Sequence, residues 1–538
     1  SGAANLISSS MSVALMTAAA TVILYPTMKM TNFGLYILVP AILIASSFIN
    51  NAIMDNKNDL SMPMSMLFGV ATIAFLLFGS FVTTFGPLHT DVYRNAATFE
   101  SKQDFDVSVQ HVDFETGIRQ VDQKMASRLA ETKLGQRSDI ISQVDIGKMS
   151  FSEVDGRLFW QAPLEWSGFF KYINNSDEGT VGYVRVSVTD NRDVELVQDQ
   201  PIVYQLNGSW FEHSLKRHLW NNGYHATYLT DHSFEVDDQG NPYWVVSMVE
   251  RLQGFSDTYT VEGVLTVHAT TGEINEYTVQ EAPKWIDRIQ PESVVLNQLN
   301  TWGDYLNGSW NFSNYLKQSA TEGMSIVRGG DGNLKWYTGM KSVNSDKGTV
   351  GFVLVDTRTG VKEYFERNGI TENSCQANIE GLLPEKINAG WIVTPCILYG
   401  IEGEPVYVAI VKDANSNPKG FGISSLVHRD AVAYGQTIRE AHRLYVKKRQ
   451  GNQLFTSQGE AELATVTGYV GRINSEVLDG KTIYYMLIDS VPGKIMIVSS
   501  GGNSEIPLTS VGDQVTITYN ELGLREASVT DFDNLNIN

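Results

Sequence analysis

Asp331-Gly332-Asn-Leu-Lys-Trp336, followed by Gly348-Thr-Val-Gly-Phe-Val-Leu-Val355, is the stretch on which the reading of the fold turns. Asp-Gly supplies a residue that accepts positive φ at a tight turn, and the apolar residues after it alternate with the period of a half-buried strand. The second run, rich in β-branched and aromatic residues, is another strand. Arg358-Thr359-Gly360 then turns the chain again. Turn, strand, turn, strand predicts an antiparallel meander.

The pattern returns along the chain. Asp155-Gly156 precedes Arg-Leu-Phe-Trp160, with Gly179-Thr-Val-Gly182-Tyr-Val-Arg-Val186 behind it. Gly240-Asn-Pro-Tyr-Trp244 is followed by Val261-Glu-Gly263-Val-Leu-Thr-Val267 and the turn Thr270-Thr271-Gly272. A worn fourth copy reads Glu402-Gly403-Glu-Pro-Val-Tyr407, then Lys419-Gly420-Phe-Gly-Ile423. The leading glycines are 84, 92 and 71 residues apart, so the repeats are domain-sized and irregular. Helical segments fall between them, near Ser209–Trp220, Val294–Leu306, Ser374–Leu383 and Gln436–Lys448. Leu206-Asn-Gly-Ser-Trp210 recurs as Leu306-Asn-Gly-Ser-Trp310, which reads as a second mark of the same duplication. A helix with each sheet predicts α+β units, the helix covering one sheet face.

Toward the amino terminus the composition changes. No Asp, Glu, Lys or Arg occurs before Lys29, and three charge-free apolar segments run from about Leu6 to Tyr25, Phe33 to Ile53 and Met62 to Phe85. Each has the ~20 residues a helix needs to cross hydrocarbon, so the expectation is three transmembrane helices within residues 1–90 and a lipid bilayer as partner. Lys29, Lys57, Arg94 and Lys102 do not favour one orientation. The Trp-, Tyr-, Asn- and Thr-rich body is placed outside the cytoplasm. A stripe of Ile118, Val121, Met125, Leu129 and Leu134, with Gly135 as its cap, predicts a helix from about Phe114 and a stalk over 91–150. Toward the carboxyl terminus, past Gln450-Gly-Asn-Gln and Glu460, short strands such as Ala464–Ile473, Thr482–Asp489 and Gln514–Tyr519 predict a small closed OB-like β-barrel over 456–538. The repeat region divides into 151–283 and 284–455, two units in each.

Composition bounds the chemistry. The net charge of −20 argues against nucleic acid, which needs a basic stripe, and Lys447-Lys448-Arg449 is the clearest basic cluster. Cys375 and Cys396 are too few for a disulfide scaffold or a Cys₄ zinc site, and read equally as one local bridge or two buried thiols. His213 and His218, near Glu212, are five residues apart, whereas zinc peptidases need four. His225, Asp231 and His232 read as a polar loop edge. Asp237-Asp238-Gln-Gly240-Asn241 resembles part of a calcium loop but lacks its closing Glu, and reads as a turn. Trp160, Trp244 and Trp336 hold equivalent positions and read as core residues of the repeats, with a ligand groove as the sharper alternative. No nucleophile elbow, Walker loop or dinucleotide fingerprint occurs. No catalytic, cofactor or metal residue is assigned.

Two stretches resemble a known domain type. Gly240–Val246 with Val264–Glu273 looks like the closing hairpin of a PepSY-type domain, and Gly332–Gly360 looks like a second copy. That resemblance implies small α+β interaction or inhibitory modules of bacterial envelope proteins. The extra length inside the first unit departs from the pattern. Gln143-Val-Asp-Ile-Gly, Trp160-Gln-Ala-Pro-Leu-Glu-Trp166 and Leu229-Thr-Asp-His-Ser-Phe-Glu235 also resemble large uncharacterised bacterial membrane proteins. The expectation is a non-enzymatic, membrane-anchored scaffold, an oligomer or a subunit of a larger envelope or virion assembly, with no cofactor. The alternatives are a regulator of an envelope protease and, more weakly, a hydrolase.

Overall fold

The structure, a computed structural model, describes residues 2–29, 31–54, 61–100, 109, 117–321, 323–343, 348–401, 404–428, 431–453, 463–478, 481–499, 503–520 and 526–537. Lys57, Lys102 and the Glu402-Gly403 turn of the fourth copy therefore lie outside the described residues. The chain forms two compact units, Ser1–Asp104 with Arg119–Asn368, and Phe105–Ile118 with Gly369–Asn538.

The first unit holds an amino-terminal head and three copies of the repeat. The head helices are α1 (Gly2–Leu24), α2 (Phe33–Met54) and α3 (Ser61–Thr84). The expectation of three transmembrane helices is overturned: among the described residues no helix is long and apolar enough to cross a membrane. Pro40 lies inside α2, and the buried Ser46 and Ser47 donate back to the Leu43 carbonyl of the same helix, both at 2.9 Å.

The head is instead tied to the second repeat. Met28 N–H donates to the His225 carbonyl at 2.6 Å, Trp220 Nε1 donates to the Pro26 carbonyl at 3.0 Å, and Lys29 pairs with Glu250. Phe255, at a hairpin tip of that repeat, packs against Phe33 and Tyr36 with ring centroids 5.0 and 5.8 Å away.

Copy one consists of α4 (Gln123–Leu134) and strands β1 (Ser150–Val154), β2 (Arg157–Trp166), β3 (Tyr183–Ser187) and β4 (Val194–Val197). Asp122 caps α4, its Oδ1 accepting from Met125 N at 2.8 Å. Gly135 has an ordinary right-handed φ of −59° and is not the left-handed cap its sequence suggests. Met125, Ala126, Ala130 and Leu134 are buried, so the helix expected to form a stalk is the covering helix of this copy.

Copy two is α5 (Leu215–Asn221) with β5 (Tyr228–Val236), β6 (Pro242–Arg251), β7 (Tyr259–His268) and β8 (Ile274–Thr278), paired in the order β5-β6-β7-β8. Copy three is α6 (Glu292–Tyr305) with β9 (Ser325–Arg328), β10 (Leu334–Ser342), β11 (Gly351–Asp356) and β12 (Lys362–Phe365). All these ladders are antiparallel. In copy two, Leu215 and Leu219 of α5 bury against Phe234, Trp244, Val246, Leu265 and Val267 on one sheet face. In copy three, Val295 and Leu299 of α6 do the same against Trp336, Met340, Val353 and Val355. Alternating apolar residues meet an apolar helix stripe, and each burial contributes about 1.5–3 kcal/mol per large side chain.

The second unit contains copy four and a barrel. Copy four is α7 (Glu372–Gly381) with β13 (Ile397–Ile401), β14 (Glu404–Lys412), β15 (Pro418–Ser425) and β16 (Val432–Gly435). Next comes α8 (Ile438–Gln453), which runs on through the Gln450-Gly-Asn-Gln segment expected to break it. Strands β17 (Leu463–Leu478), β18 (Lys481–Ile488), β19 (Ile495–Ser499), β20 (Gln514–Asn520) and β21 (Glu526–Asn534) close into a barrel in the order β17-β18-β19-β21-β20. One closing pair, β19 with β21, is parallel. Met486, Met496, Val515, Ile517 and Val529 fill its interior.

Candidate functional site

The three copies of the first unit are built around one device. In copy one, the N–H groups of Gln120 and Val121 both donate to the Val188 carbonyl, at 2.8 and 3.1 Å. Val188 N–H donates to Leu158 (3.0 Å), and Trp160 Nε1 donates to the Val121 carbonyl (2.9 Å). In copy two, Val203 and Tyr204 donate to Ala269, Ala269 donates to Pro242, and Trp244 Nε1 donates to Tyr204 at 2.7 Å. In copy three, Ile289 and Gln290 donate to Thr357, Thr357 donates to Leu334, and Trp336 Nε1 donates to Gln290 at 2.9 Å. The indole thus clasps the segment entering the copy's helix to the copy's second strand. In copy four Ile370 N–H donates to Leu426, and the Tyr407 hydroxyl reaches the Ile370 carbonyl at 3.4 Å in place of an indole. Trp244, Trp336 and Tyr407 are buried in this clasp and Trp160 is half-buried.

The Leu-Asn-Gly-Ser-Trp pair does not share that equivalence. Its first instance precedes α5, where Glu165 accepts from Leu206 and Asn207 N–H at 3.0 and 3.1 Å. A side chain on Gly208 would run into Gln205 Oε1 and Trp166 N. Its second instance follows α6, where Trp310 is exposed and packs edge-on against Phe85. The two instances are therefore not marks of one duplication, and the sequence expectation is corrected on this point.

Copies one, two and three meet along the linker that joins β8 to α6. Ala282, Ile286 and Ile289 of this linker cover the second face of the copy-two sheet, against Val245 and Val264. Arg358 donates to the carbonyls of Ala282, Pro283 and Lys284 at 2.8–3.0 Å, and also to Ile286. Arg328 pairs with Glu153 at 2.8 Å, and Arg288 pairs with Asp231 at 2.9 Å. Two carboxylates lie within the junction. Glu235 accepts from Ser233 Oγ and from Asp287 N–H, both at 2.9 Å, while the Asp287 carboxylate accepts from Glu153 N–H. Burial pushes the Glu235 carboxyl up to about 7, against the pull of Arg288. Burial, then the charge of Glu235, holds Asp287 well above the ordinary aspartate range. Two buried carboxyls in one low-dielectric site cannot both ionise cheaply, so the pair retains a proton near neutrality. Glu235 is buried within the junction.

A cleft opens on each side of the linker. One, of about 250 Å³, is bounded by the first-copy turn Asp155-Gly156, Asp238 of the second and Gly332-Asn333 of the third, with Lys284, Asp287 and Arg358. Three hairpin turns that are remote in sequence converge there. The other cleft, of about 230 Å³, lies between copies one and three and includes Trp160, Trp336, Arg119 and Arg288.

The residues singled out from sequence go elsewhere. His218 Nε2 donates to the Gly272 carbonyl at 2.7 Å and burial pushes its pKa down, while His213 Nδ1 faces Tyr172 Oη at 3.3 Å. Asp231 is taken by Arg288, and burial with the charge of Lys216 depresses His232 to about 4. Asp237 accepts from Gln239 and Asn241 N–H at 3.0 and 2.8 Å, a self-closing turn repeated by Asp413 with Asn415 and Asn417, both at 2.9 Å. Among the described residues no group of three His, Cys, Asp or Glu side chains is arranged to hold a metal. In the second unit Lys447 pairs with Glu476 at 2.6 Å and Arg449 with Glu404 at 3.2 Å, so the basic cluster is consumed within the fold. Cys375 and Cys396 form a disulfide. Sequence reasoning missed Glu235, Asp287, Arg288 and Arg119. The signal available was position: Arg119 and Arg288 each stand two residues before the carbonyl of their copy's clasp.

No family model matches this chain, and no curated protein does. Solved structures with some likeness include a Bombyx mori GH32 beta-fructofuranosidase mutant in complex with sucrose, at 11% identity and a TM-score of 0.17, covering 77% of this chain and 70% of that one. A BT0996 RGII complex shares 9% identity with a TM-score of 0.17, covering 71% and 88%. A sialidase shares 8% identity with a TM-score of 0.14, covering 81% and 49%. Likeness this slight carries no argument about fold or activity.

Proposed function

We propose that this chain is a non-enzymatic interaction protein, a subunit of a larger envelope or virion assembly, whose helix-plus-sheet copies present binding surface to protein partners. One observation carries the reading: the clasp. In each copy an aromatic residue that would otherwise suit a ligand groove is spent on holding the helix entry to the sheet. The same economy applies to His218, Asp231, Asp237 and Lys447, each committed to a structural partner. The disulfide favours an oxidising, extracytoplasmic setting for the body.

The test is purification of the full chain from its source in mild detergent, with sizing by light scattering and an assay against peptide and glycoside substrates. A stoichiometric complex without turnover is expected. A 59.7 kDa monomer that hydrolyses any of these substrates sinks the proposal.

A further inference from the structure

The fourth strand of each copy ends its own meander, and in copy three a further segment covers it. Register places Val194, Ile274 and Lys362 at one position, since each is paired through the neighbouring strand to its clasp tryptophan, Trp160, Trp244 or Trp336. Along β12 of copy three, Phe99–Glu100 adds as a parallel strand, with Phe99 opposite Lys362 and Glu100 opposite Glu363. The Phe99 ring centroid lies 4.7 Å from that of Trp302 in α6 and 5.5 Å from that of Tyr364 on the edge. This architecture therefore takes an extended segment at that edge.

In copy two the equivalent edge, β8, is open. His268 N–H donates to the Glu273 carbonyl at 2.9 Å, and the alternation of an antiparallel ladder then turns the N–H and C=O groups of Ile274 and Glu276 outward. No described residue bonds to any of these backbone groups. Tyr224, packed on the copy-two core, donates its hydroxyl to Glu276 at 3.1 Å and stands beside this edge as Trp302 stands beside Tyr364. Charge separates β8 from the other edges. Glu273, Glu276 and Glu281 are exposed, their described partners are the neutral donors Asn275, Tyr224 and Thr278, and none forms an ion pair. At the copy-one edge Glu195 is bridged by Arg185 at 2.6 Å, and β16 of copy four carries no carboxylate. Unpaired edge groups recruit another strand. The unpaired negative charges repel the same edge of a second copy and attract a basic segment.

We propose that β8 binds an extended, basic segment of a protein partner, which joins the four-stranded copy-two sheet as an added strand. The segment runs parallel to β8, as Phe99–Glu100 runs along β12. Its main chain meets the outward groups of Ile274 and Glu276, and its lysine or arginine side chains reach Glu273, Glu276 and Glu281. The site rests on the reading of this chain as an interaction protein and names the chemistry of one partner.

The experiment titrates a labelled, end-capped peptide of alternating lysine and valine with the full chain and follows fluorescence anisotropy. Saturable one-to-one binding is expected. The same peptide N-methylated throughout keeps its charge and loses its backbone donors, and should bind about tenfold more weakly. A peptide with glutamate in place of lysine should not bind. Glu276→Pro removes an edge donor that points away from β7, so the ladder stays intact, and should abolish binding. Glu276→Gln keeps the donor and should weaken binding about threefold. The N-methylated peptide decides on the parent protein alone, whatever the fold of the proline variant. Peptide binding is read apart from turnover and from the native complex, so its failure is distinct from failure of the interaction reading. Absence of saturable binding, equal affinity for the N-methylated or the glutamate peptide, or an affinity unmoved by Glu276→Pro each overturns the assignment.

Discussion

The indole Nε1 of Trp336 donates to the carbonyl of Gln290 at 2.9 Å, joining the second strand of copy three to the residue that leads into its helix. Both partners are buried, and the Gln290 carbonyl sits where the linker between copies two and three ends. Trp336→Phe keeps most of the apolar contact and leaves that carbonyl unsatisfied. The expected loss is about 1–3 kcal/mol, the cost of a buried orphaned acceptor. Tyr407→Phe, which removes a longer 3.4 Å contact, should cost less. Urea unfolding of both variants decides: equal losses mean that the indole hydrogen bond is not what fastens the copy.

Gly332 tests the turn. Its φ of +86° lies in the left-handed region, while a Cβ there meets nothing within 4 Å, so any penalty is conformational and not steric crowding. Gly332→Val should destabilise the first unit by about 1–3 kcal/mol. Gly332→Asn should cost distinctly less, since Asn tolerates the left-handed region. Matching melting temperatures for the two variants would mean that the backbone relaxes out of that conformation.

The disulfide tests independence of the units. Cys375 and Cys396 are 21 residues apart, and both belong to the second unit. Closing a loop of that size restricts the unfolded chain by about 3 kcal/mol in the chain-entropy account. Replacing both cysteines by serine should lower the unfolding midpoint of the second unit and leave that of the first in place. A common shift of every transition would show that the two units unfold together.

The strands were legible because alternation and Asp-Gly turns are local signals: the turn glycines Gly156, Gly240 and Gly332 all have positive φ, from +76° to +87°. The covering helices α6 and α7 were legible to within two residues at each end, whereas α5 starts six residues after the expected Ser209 and α4 starts only after its Asp122 cap. Three charge-free segments suggested spans, whereas among the described residues no helix is long and apolar enough to cross a membrane. The junction was not legible. Glu235 and Asp287 are 52 residues apart and read as ordinary strand and linker polars. Only the folding of the linker across the copy-two sheet brings them into one buried site.

That buried pair sets a pH dependence whose sign can be worked out. Glu235 rises from an ordinary ~4.3 to about 7 in the folded chain, through burial first. Between those values the folded state holds a proton that the unfolded state has released, so the stabilising contribution is complete below ~4.3 and is lost as pH rises through about 7. Asp287, also raised, acts in the same direction. His232 acts in the opposite one: depressed to about 4, it is neutral in the fold while its unfolded counterpart is still protonated, so stability rises with pH until its ordinary ~6.5 is passed. The two effects overlap, and the raw stability profile will not separate them. Glu235→Gln does, because it removes the titration and keeps one oxygen to accept from the Asp287 N–H, while its amide nitrogen donates to a Ser233 hydroxyl turned to accept. Relative to the parent protein, this variant should gain on the order of 3 kcal/mol between pH 4.5 and pH 8, the free energy of moving one carboxyl by two to three pK steps. Urea midpoints at both pH values measure it. A difference between variant and parent that does not change with pH would show that Glu235 is already ionised in the fold, held by Arg288, and that the junction stores no proton.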